Sequence, residues 1–288
     1  MGDVADILGR SCDAPATSPL LRAKHHDAPS VFMPAQLLRE ARRQKGLPHR
    51  DVPAVCVLDP DGDLARAALA GGRASPSLGW ACYHTAMLEW TLPDGLVIGI
   101  VANAVGAPFA VLVAEQLFVS GCRLLISITS AGRIADLAEP PCAVLVDRAL
   151  RDEGASHHYL PAGHGDFVAA PDLLLLDRIS AVLNADGGMT VHRGATWTTD
   201  APFRETEQAI AVARGHGVLA VEMEAAALYA VGTVLGKPVA CFAIVTNTMG
   251  QSGGDDFEKG EADGTVAALR LICAAATAFA LPDCAAVV

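Results

Sequence analysis

The chain has 288 residues, of which 52% are hydrophobic and 18% are charged. This composition supplies enough apolar side chains for a large core and excludes an intrinsically disordered chain. The 21 basic and 32 acidic side chains give a formal net charge of −11 at pH 7, which disfavours nucleic acid and anionic membrane surfaces as partners. No run reaches the ~18 uninterrupted apolar residues of a membrane span. Acidic residues interrupt the N-terminal segment, so no secretory signal is expected and the cytoplasm is the predicted compartment.

The eight cysteines are spread along the chain without short paired spacings, and several lie within apolar runs. This distribution favours reduced core residues over a disulfide framework or a zinc site. We therefore expect no bound metal.

The distribution of apolar runs along the chain predicts one domain with short terminal extensions. Residues 1–30 lack a sustained period and are predicted to form a mobile arm, and residues 284–288 a C-terminal tail. Between them, residues 31–283 alternate short β-branched runs with longer Ala- and Leu-rich runs. In chain order this pattern predicts helix 34–45, strand 52–58, helix 63–70, strand 96–102, helix 108–120, strands 124–129 and 143–146, helices 172–184 and 204–215, strand 218–221, helix 223–235, strand 239–246 and helix 258–279.

Several of the predicted strands are apolar along their whole length, and most are followed by a helix, as expected for strands covered on both faces. This predicts an α/β fold, a three-layer α/β/α sandwich with a mixed, largely buried central sheet. Ligands of such sheets bind at the carboxyl ends of the strands. Polar residues that directly follow a strand are therefore the candidate functional residues.

Three segments meet that condition. Residues 126–132 (Ile-Ser-Ile-Thr-Ser-Ala-Gly) end a strand in small residues whose N–H groups can approach an anion, although an ordinary turn has the same composition. Residues 221–227 (Val-Glu-Met-Glu-Ala-Ala-Ala) hold two carboxylates that suit sugar hydroxyls or, alternatively, cap a helix. Residues 245–250 end a strand at Asn247, whose amide can read a carbonyl beside an N–H or simply form a turn.

In this order the three segments resemble the nucleoside phosphorylase family, which includes uridine phosphorylase, hexameric purine nucleoside phosphorylase and the methylthioadenosine nucleosidases. The likeness covers about residues 50–280, and the Val-Glu-Met-Glu-Ala-Ala segment is its most specific part. Further matches are Gly62-Asp63 with Arg66, similar to the family's Gly-Asp-Pro-x-Arg phosphate loop; Gly106-Ala107-Pro108, similar to its Gly-x-Pro helix start; and residues 151–159, similar to the uridine phosphorylase branch.

The resemblance implies a role for individual side chains. Glu224 is expected to bind the ribose 2′ and 3′ hydroxyls, with Met223 packed against the sugar. The base pocket is expected over residues 197–203, where Trp197 or Phe203 supplies a stacking surface or only packs under a loop. Phosphate contacts are expected from Gly62, Arg66 and Ser130.

Two departures from the family concern phosphate. Ser127 stands where the phosphorylases usually have an arginine, and a second arginine, lent by a neighbouring subunit, has no counterpart near residues 80–85. Two missing guanidinium groups remove strong charge-assisted bonds to a dianion. The Ile-Thr-Ser-Ala-Gly stretch is closer to the hydrolytic nucleosidases, but the glutamate with which those enzymes activate water has no match. Inorganic phosphate is the expected co-substrate and water the alternative.

A third departure concerns the base. Asn247 stands where hexameric purine phosphorylases and the nucleosidases carry an aspartic acid that protonates the leaving purine. An amide cannot donate that proton, so a uracil or 6-oxopurine base is predicted to leave more readily than adenine.

The resemblance therefore implies cleavage of the N-glycosidic bond of a nucleoside, with Glu224 and Asn247 as the catalytic residues and ribose 1-phosphate as the second product. Hydrolysis and a nucleoside-binding protein without catalysis are the alternatives. No metal or organic cofactor is required by this chemistry, and a homodimer or homohexamer is expected.

Overall fold

The computed structural model describes residue 20 and residues 23–92, 95–138, 141–249, 257–260 and 264–281. The tail predicted at 284–288 and most of the arm predicted at 1–30 lie outside the described residues. The described part of that arm lies against the turn Ser156–His158. Lys24 Nζ is 3.1 Å from His158 Nδ1, and His26 Nε2 is 3.2 Å from the carbonyl oxygen of His157.

The helices begin and end close to the predicted boundaries in most cases. Helix α1 illustrates the local causes: it has a proline in its first turn, three basic residues in its last turn, and a left-handed glycine, Gly46, at its end. No described helix has the length and apolar content needed to cross a bilayer. The helices are α1 (Pro34–Lys45), α2 (Asp63–Ala70), α3 (Ala107–Val119), α4 (Leu173–Asp186), α5 (Glu207–Gly215), α6 (Ala225–Leu235) and α7 (Thr265–Ala280).

The strands join into one mixed sheet of ten strands. They are β1 (Val55–Asp59), β2 (Ala74–Pro76), β3 (Leu88–Thr91), β4 (Val97–Ala102), β5 (Leu124–Arg133), β6 (Cys142–Asp152), β7 (Phe167–Ala169), β8 (Thr190–Thr199), β9 (Val218–Glu222) and β10 (Val239–Thr248).

The sheet runs in the order β10-β6-β8-β9-β5-β1-β4-β3-β2, and β10 also pairs with β5. Strands β10, β6, β8, β9 and β5 therefore close into a ring, while β1 to β4 extend from it as an open sheet. β5 is parallel to β1 and β10 and antiparallel to β9. The α/β fold with a mixed, buried central sheet is confirmed, and the ring is the feature that the predicted sandwich lacks.

Four strands were not predicted from the sequence, and three of them are three or four residues long. The fourth, β8, contains several polar residues, and two of them, Thr196 and Thr198, donate to the carboxylate of Glu222 on the neighbouring strand β9. The predicted helix 258–279 was wrong at its start. The backbone N–H of Glu258 bonds to the carbonyl of Thr246 (2.7 Å), and the helix begins at Thr265 after a left-handed Gly264.

The register of the sheet brings the candidate residues together at the carboxyl end of β5. Gly132 of that strand pairs with Asn247 of β10 on one side and with Val221 of β9 on the other. Val221 directly precedes the Glu222-Met223-Glu224 segment, and Ser130 lies two residues earlier on β5. Three segments that are far apart in the sequence thus meet at one strand end.

Candidate active site

Glu222 ends β9, and its buried carboxylate is fully engaged within the chain. Its Oε1 accepts hydrogen bonds from the hydroxyls of Thr198 (2.6 Å) and Thr196 (3.0 Å), and its Oε2 accepts from the backbone N–H groups of Glu224 and Ala225 (both 2.7 Å). Burial raises the pKa of Glu222, and the four donors oppose that rise. These two N–H groups belong to the N-cap residue and the first residue of helix α6, so the side chain of Glu222 caps the start of that helix.

Glu224 is in a different position, although it is 1% exposed. Its Oε1 accepts a 2.7 Å hydrogen bond from the backbone N–H of Gly106, whereas its Oε2 has no partner among the described residues. Burial and the charge of Glu222 raise the pKa of Glu224 to about 8, against the Gly106 N–H and the nearby Thr129 hydroxyl. A buried carboxylate oxygen without a donor is costly. This oxygen is therefore suited to hydroxyl groups of a ligand.

The residues expected to bind phosphate lie around Asp61. Gly62 has φ +74°, and a β carbon there would lie 2.7 Å from Asn103 Oδ1, so this turn requires glycine. Arg66 pairs with the carboxylate of Asp63, and its Nη1 donates to the Asp61 carbonyl oxygen at 3.2 Å. The hydroxyl of Ser130 donates to the Asp61 carboxylate. The structure thus brings Gly62, Arg66 and Ser130 together, with their donors directed at groups of the chain itself.

A lysine joins this group from the segment before α7. Lys259 Nζ lies 3.3 Å from Asp61 Oδ2 and also pairs with Asp63. Burial lowers the pKa of Lys259, but its hydrogen bond to Asp63 and the charges of both aspartates outweigh burial and raise it. Burial also raises the pKa of the Asp59 carboxyl to about 6, against N–H donors from Ala65 and Gly62. Within the described parts of the chain, no cluster of histidine, cysteine and acidic side chains could hold a metal ion.

Asn247 presents an amide with weak internal contacts. Its Oδ1 accepts from the Thr246 hydroxyl at 3.2 Å, and its Nδ2 lies 3.5 Å from Met249 Sδ. Because a thioether sulfur is a weak acceptor, the Nδ2 protons are free to bond a stronger acceptor. The amide is half-buried at the end of β10, as the predicted base-binding role requires.

The other predicted base and sugar residues differ in their surroundings. Met223 is partly exposed between the two glutamates. Trp197 is 5% exposed, packs in a core cluster with Ile134 and Ile210, and donates from Nε1 to Asp152 at 2.9 Å. Phe203 is 99% exposed. The surroundings of Trp197 match its packing alternative, and base stacking by Trp197 or Phe203 stays a prediction.

Among the participants in this site that sequence reasoning missed are Gly106, Thr198, Asp61 and Lys259. Gly106 was noticed only as a helix start, and nothing in its neighbourhood indicates that its N–H binds Glu224. Thr198 lies in the unpredicted strand β8, and Lys259 was assigned to a helix. Asp61 did have a signal, because aspartates at 59, 61 and 63 alternate around a strand end.

Comparison with known proteins is decisive for the family. Residues 77–278 match the model of the phosphorylase superfamily. This chain belongs to that superfamily. A guanosine phosphorylase of Halorubrum lacusprofundi is 24% identical over 194 residues, which are 65% of this chain and 78% of that protein. A DeoD-type purine nucleoside phosphorylase of Colwellia psychrerythraea is 30% identical over 145 residues, 50% of this chain and 60% of that protein.

Solved structures support the same fold. The crystal structure of uridine phosphorylase from Vibrio fischeri ES114 superposes with a TM-score of 0.65 at 21% sequence identity, covering 80% of this chain and 93% of the other. The nucleoside phosphorylase resemblance is thereby confirmed, and the protein is an enzyme of this superfamily.

Proposed function

We propose that this superfamily member cleaves the N-glycosidic bond of a ribonucleoside whose base carries a ring carbonyl. The single observation that carries the proposal is Glu224 Oε2, a buried carboxylate oxygen that has no donor among the residues described by the structure. The two vicinal hydroxyls of a ribose supply the missing donors, and such bonds stabilise the charged form of the carboxyl. The division of labour in the glutamate pair supports this role, because Glu222 is saturated by four donors and Glu224 is not.

The proposed reaction depends on stabilising the charges that develop on the ribose and on the leaving base. As the C1′–N bond lengthens, positive charge develops on the ribose, and a carboxylate at the diol stabilises it electrostatically. The base leaves as an anion with charge on its carbonyl oxygen, which accepts from Asn247 Nδ2. Because an amide supplies no proton, uracil or a 6-oxopurine is the proposed leaving group. Positioning and electrostatics carry these steps without a metal or organic cofactor.

The acceptor of the ribosyl group has two candidates. Phosphate is the one that the identities of Gly62, Arg66 and Ser130 favour, and it gives ribose 1-phosphate. Water is the second, and the hydrogen bond from Ser130 to the Asp61 carboxylate favours it, because that hydroxyl is already engaged with an anion of the chain.

The proposal is tested by incubating the full chain with uridine, inosine, guanosine and adenosine, each with and without inorganic phosphate, and measuring the free base by chromatography. We expect base release from at least one of the first three and little from adenosine. Binding of a nucleoside without release of base from any of the four would identify a binding protein and contradict catalysis.

Assembly and location remain expectations from the family. A homodimer or homohexamer is proposed, and light scattering after size exclusion measures its mass. A cytoplasmic location is proposed as well.

A further inference from the structure

A cavity lined by Ser130 and Thr246, toward the ends of β5 and β10, is chemically unlike a phosphate site. Ser130 donates to the Asp61 carboxylate, and Arg66 donates to the Asp63 carboxylate and the Asp61 carbonyl. Both side chains expected to bind phosphate thus already donate to oxygen acceptors of their own chain. A phosphate ion would have to displace the contact between Ser130 and Asp61 and to share the Arg66 guanidinium with Asp63.

The charges around the cavity point the same way. Its lining includes three carboxylates, and the lysine that lines it is paired with two of them. Ser127 stands in place of the family's arginine, and its buried hydroxyl has no partner among the described residues. A dianion would therefore approach Asp61 and Asp63 with little net positive charge to attract it. A neutral acceptor meets no such repulsion.

An unpartnered hydroxyl in the cavity points to water. The cavity has room for an ordered water molecule, because its volume is about 30 Å³ and one water needs at least about 10–15 Å³. Thr265 Oγ1 lines the cavity, is buried, and has no hydrogen-bond partner among the described residues. A water molecule there can donate to Asp61 and accept from Thr265, so both groups gain a bond.

From this geometry we infer that Asp61 is a catalytic residue that commits the enzyme to water as the ribosyl acceptor. The inference rests on the proposed function, since it names the acceptor of that same reaction. The water oxygen forms a bond to C1′ while the C1′–N bond breaks and its electron pair leaves with the base. Asp61 takes the proton released by the water and returns it to solvent, and the base anion is protonated by solvent. The products are free ribose and free base.

Lys259 and Ser130 are positioning residues in this scheme. Both contact Asp61 Oδ2, so they hold that carboxylate at the cavity and fix its orientation. The second oxygen of Asp61 is left to face the water. This assignment accounts for an aspartate directly before Gly62 and for a lysine brought in from beyond β10.

The test uses the full chain, freed of phosphate by dialysis, with whichever of uridine, inosine or guanosine is cleaved. Free base is followed by chromatography, ribose by a reducing-sugar assay, and ribose 1-phosphate by phosphorus NMR. We expect base to be released at the same rate without phosphate and with about 10 mM phosphate. Free ribose should be the only sugar product. Phosphate-dependent release with ribose 1-phosphate as product would overturn this inference and leave the proposed function standing. Absence of base release under both conditions overturns both.

The role of Asp61 is tested with Asp61→Asn, which keeps an acceptor for Ser130 but takes no proton. We expect turnover to fall by about 100-fold or more while the dissociation constant for the nucleoside, from calorimetry, stays within about twofold. Asp177→Asn is the matched control, because the Asp177 side chain lies on the exposed face of helix α4. In Asp61→Ala, added formate should restore part of the hydrolysis. Hydrolysis by Asp61→Asn at the wild-type rate, or loss of nucleoside binding in that variant with its fold intact by circular dichroism, overturns the assignment.

Discussion

The backbone N–H of Glu224 donates a 2.7 Å hydrogen bond to Oε2 of Glu222, so one carboxylate of the pair fixes the backbone that carries the other. The same oxygen accepts from Ala225, whereas Glu224 Oε2 has no partner in the part of the chain that the structure describes. The pair therefore combines a structural carboxylate with one that we propose binds the ligand, two residues apart.

Replacing Glu224 should abolish most turnover without unfolding the protein. In Glu224→Gln the amide still accepts from Gly106, but the negative charge that stabilises the developing ribosyl cation is gone. We expect kcat/KM to fall by about 10²–10³-fold in steady-state assays, and further in Glu224→Ala. The exposed Glu207→Gln serves as the control. Near-normal activity in Glu224→Ala would contradict the assignment.

The same residue should shape the pH dependence of stability. The pKa of Glu224 is raised to about 8 in the folded protein, so between pH ~4.5 and ~8 the folded state holds a proton that the unfolded state has released. Stability is therefore greatest at the acidic side of this window, falls as pH rises across it, and levels off above about 8. The loss amounts to a few kcal/mol.

Urea unfolding of wild type and Glu224→Gln at pH 6, ~7.5 and ~9 measures this effect. The glutamine variant should show a flatter profile and gain stability relative to wild type at the alkaline end. Asp59, whose pKa is raised from 3.8 to about 6, contributes a smaller fall of the same sign at lower pH, largely complete at the acidic end of this range. Identical pH profiles for the two proteins would argue against a buried, proton-holding Glu224.

The threonines of β8 should differ in their contribution to stability. Thr198 donates to Glu222 and also accepts a 2.9 Å bond from the Ala226 N–H, whereas Thr196 only donates to Glu222. Thr198→Val leaves a buried N–H without that partner and should cost about 2–3 kcal/mol of unfolding free energy, against about 1 kcal/mol for Thr196→Val. Equal losses in chemical denaturation would show that the second bond contributes nothing.

Asn247 should determine which base leaves. Asn247→Asp introduces a group that can deliver a proton to a purine ring nitrogen, so the ratio of kcat/KM for adenosine to that for inosine should rise by at least tenfold, about 1.4 kcal/mol of transition-state preference. Asn247→Ala is the control, because it removes the amide without adding an acid and should slow both substrates. A wild-type enzyme that strongly prefers adenosine would refute the oxo-base proposal.

The sequence was most informative where the structure uses continuous apolar runs. Strands β1, β4, β5 and β10 have such runs because both faces are covered, and each was predicted. Strand β8 was not, since Thr196 and Thr198 are buried as donors to Glu222 and read in the sequence as polar surface. For the same reason the sequence located the glutamate pair but could not show which side chain caps the helix. The capping side chain, Glu222, is held by Thr196 and Thr198 of β8, which lie 26 and 24 residues earlier in the sequence.

The nucleophile end of the site was the least predictable part. Gly62, Arg66 and Ser130 were recognised by motif, but a motif does not record what each donor contacts. Only the fold shows that Asp61 lies between them and that Lys259 reaches it from a segment 198 positions further along.

The bond between the Gly106 N–H and Glu224 joins positions 118 residues apart, and it forms only after β4, α3 and β9 have docked on the same sheet. Pairing of such distant segments is a late and slow event in folding. A refolding molecule should thus regain its helical circular dichroism before it regains affinity for a nucleoside. The recovery of nucleoside binding therefore reports when the native topology is complete.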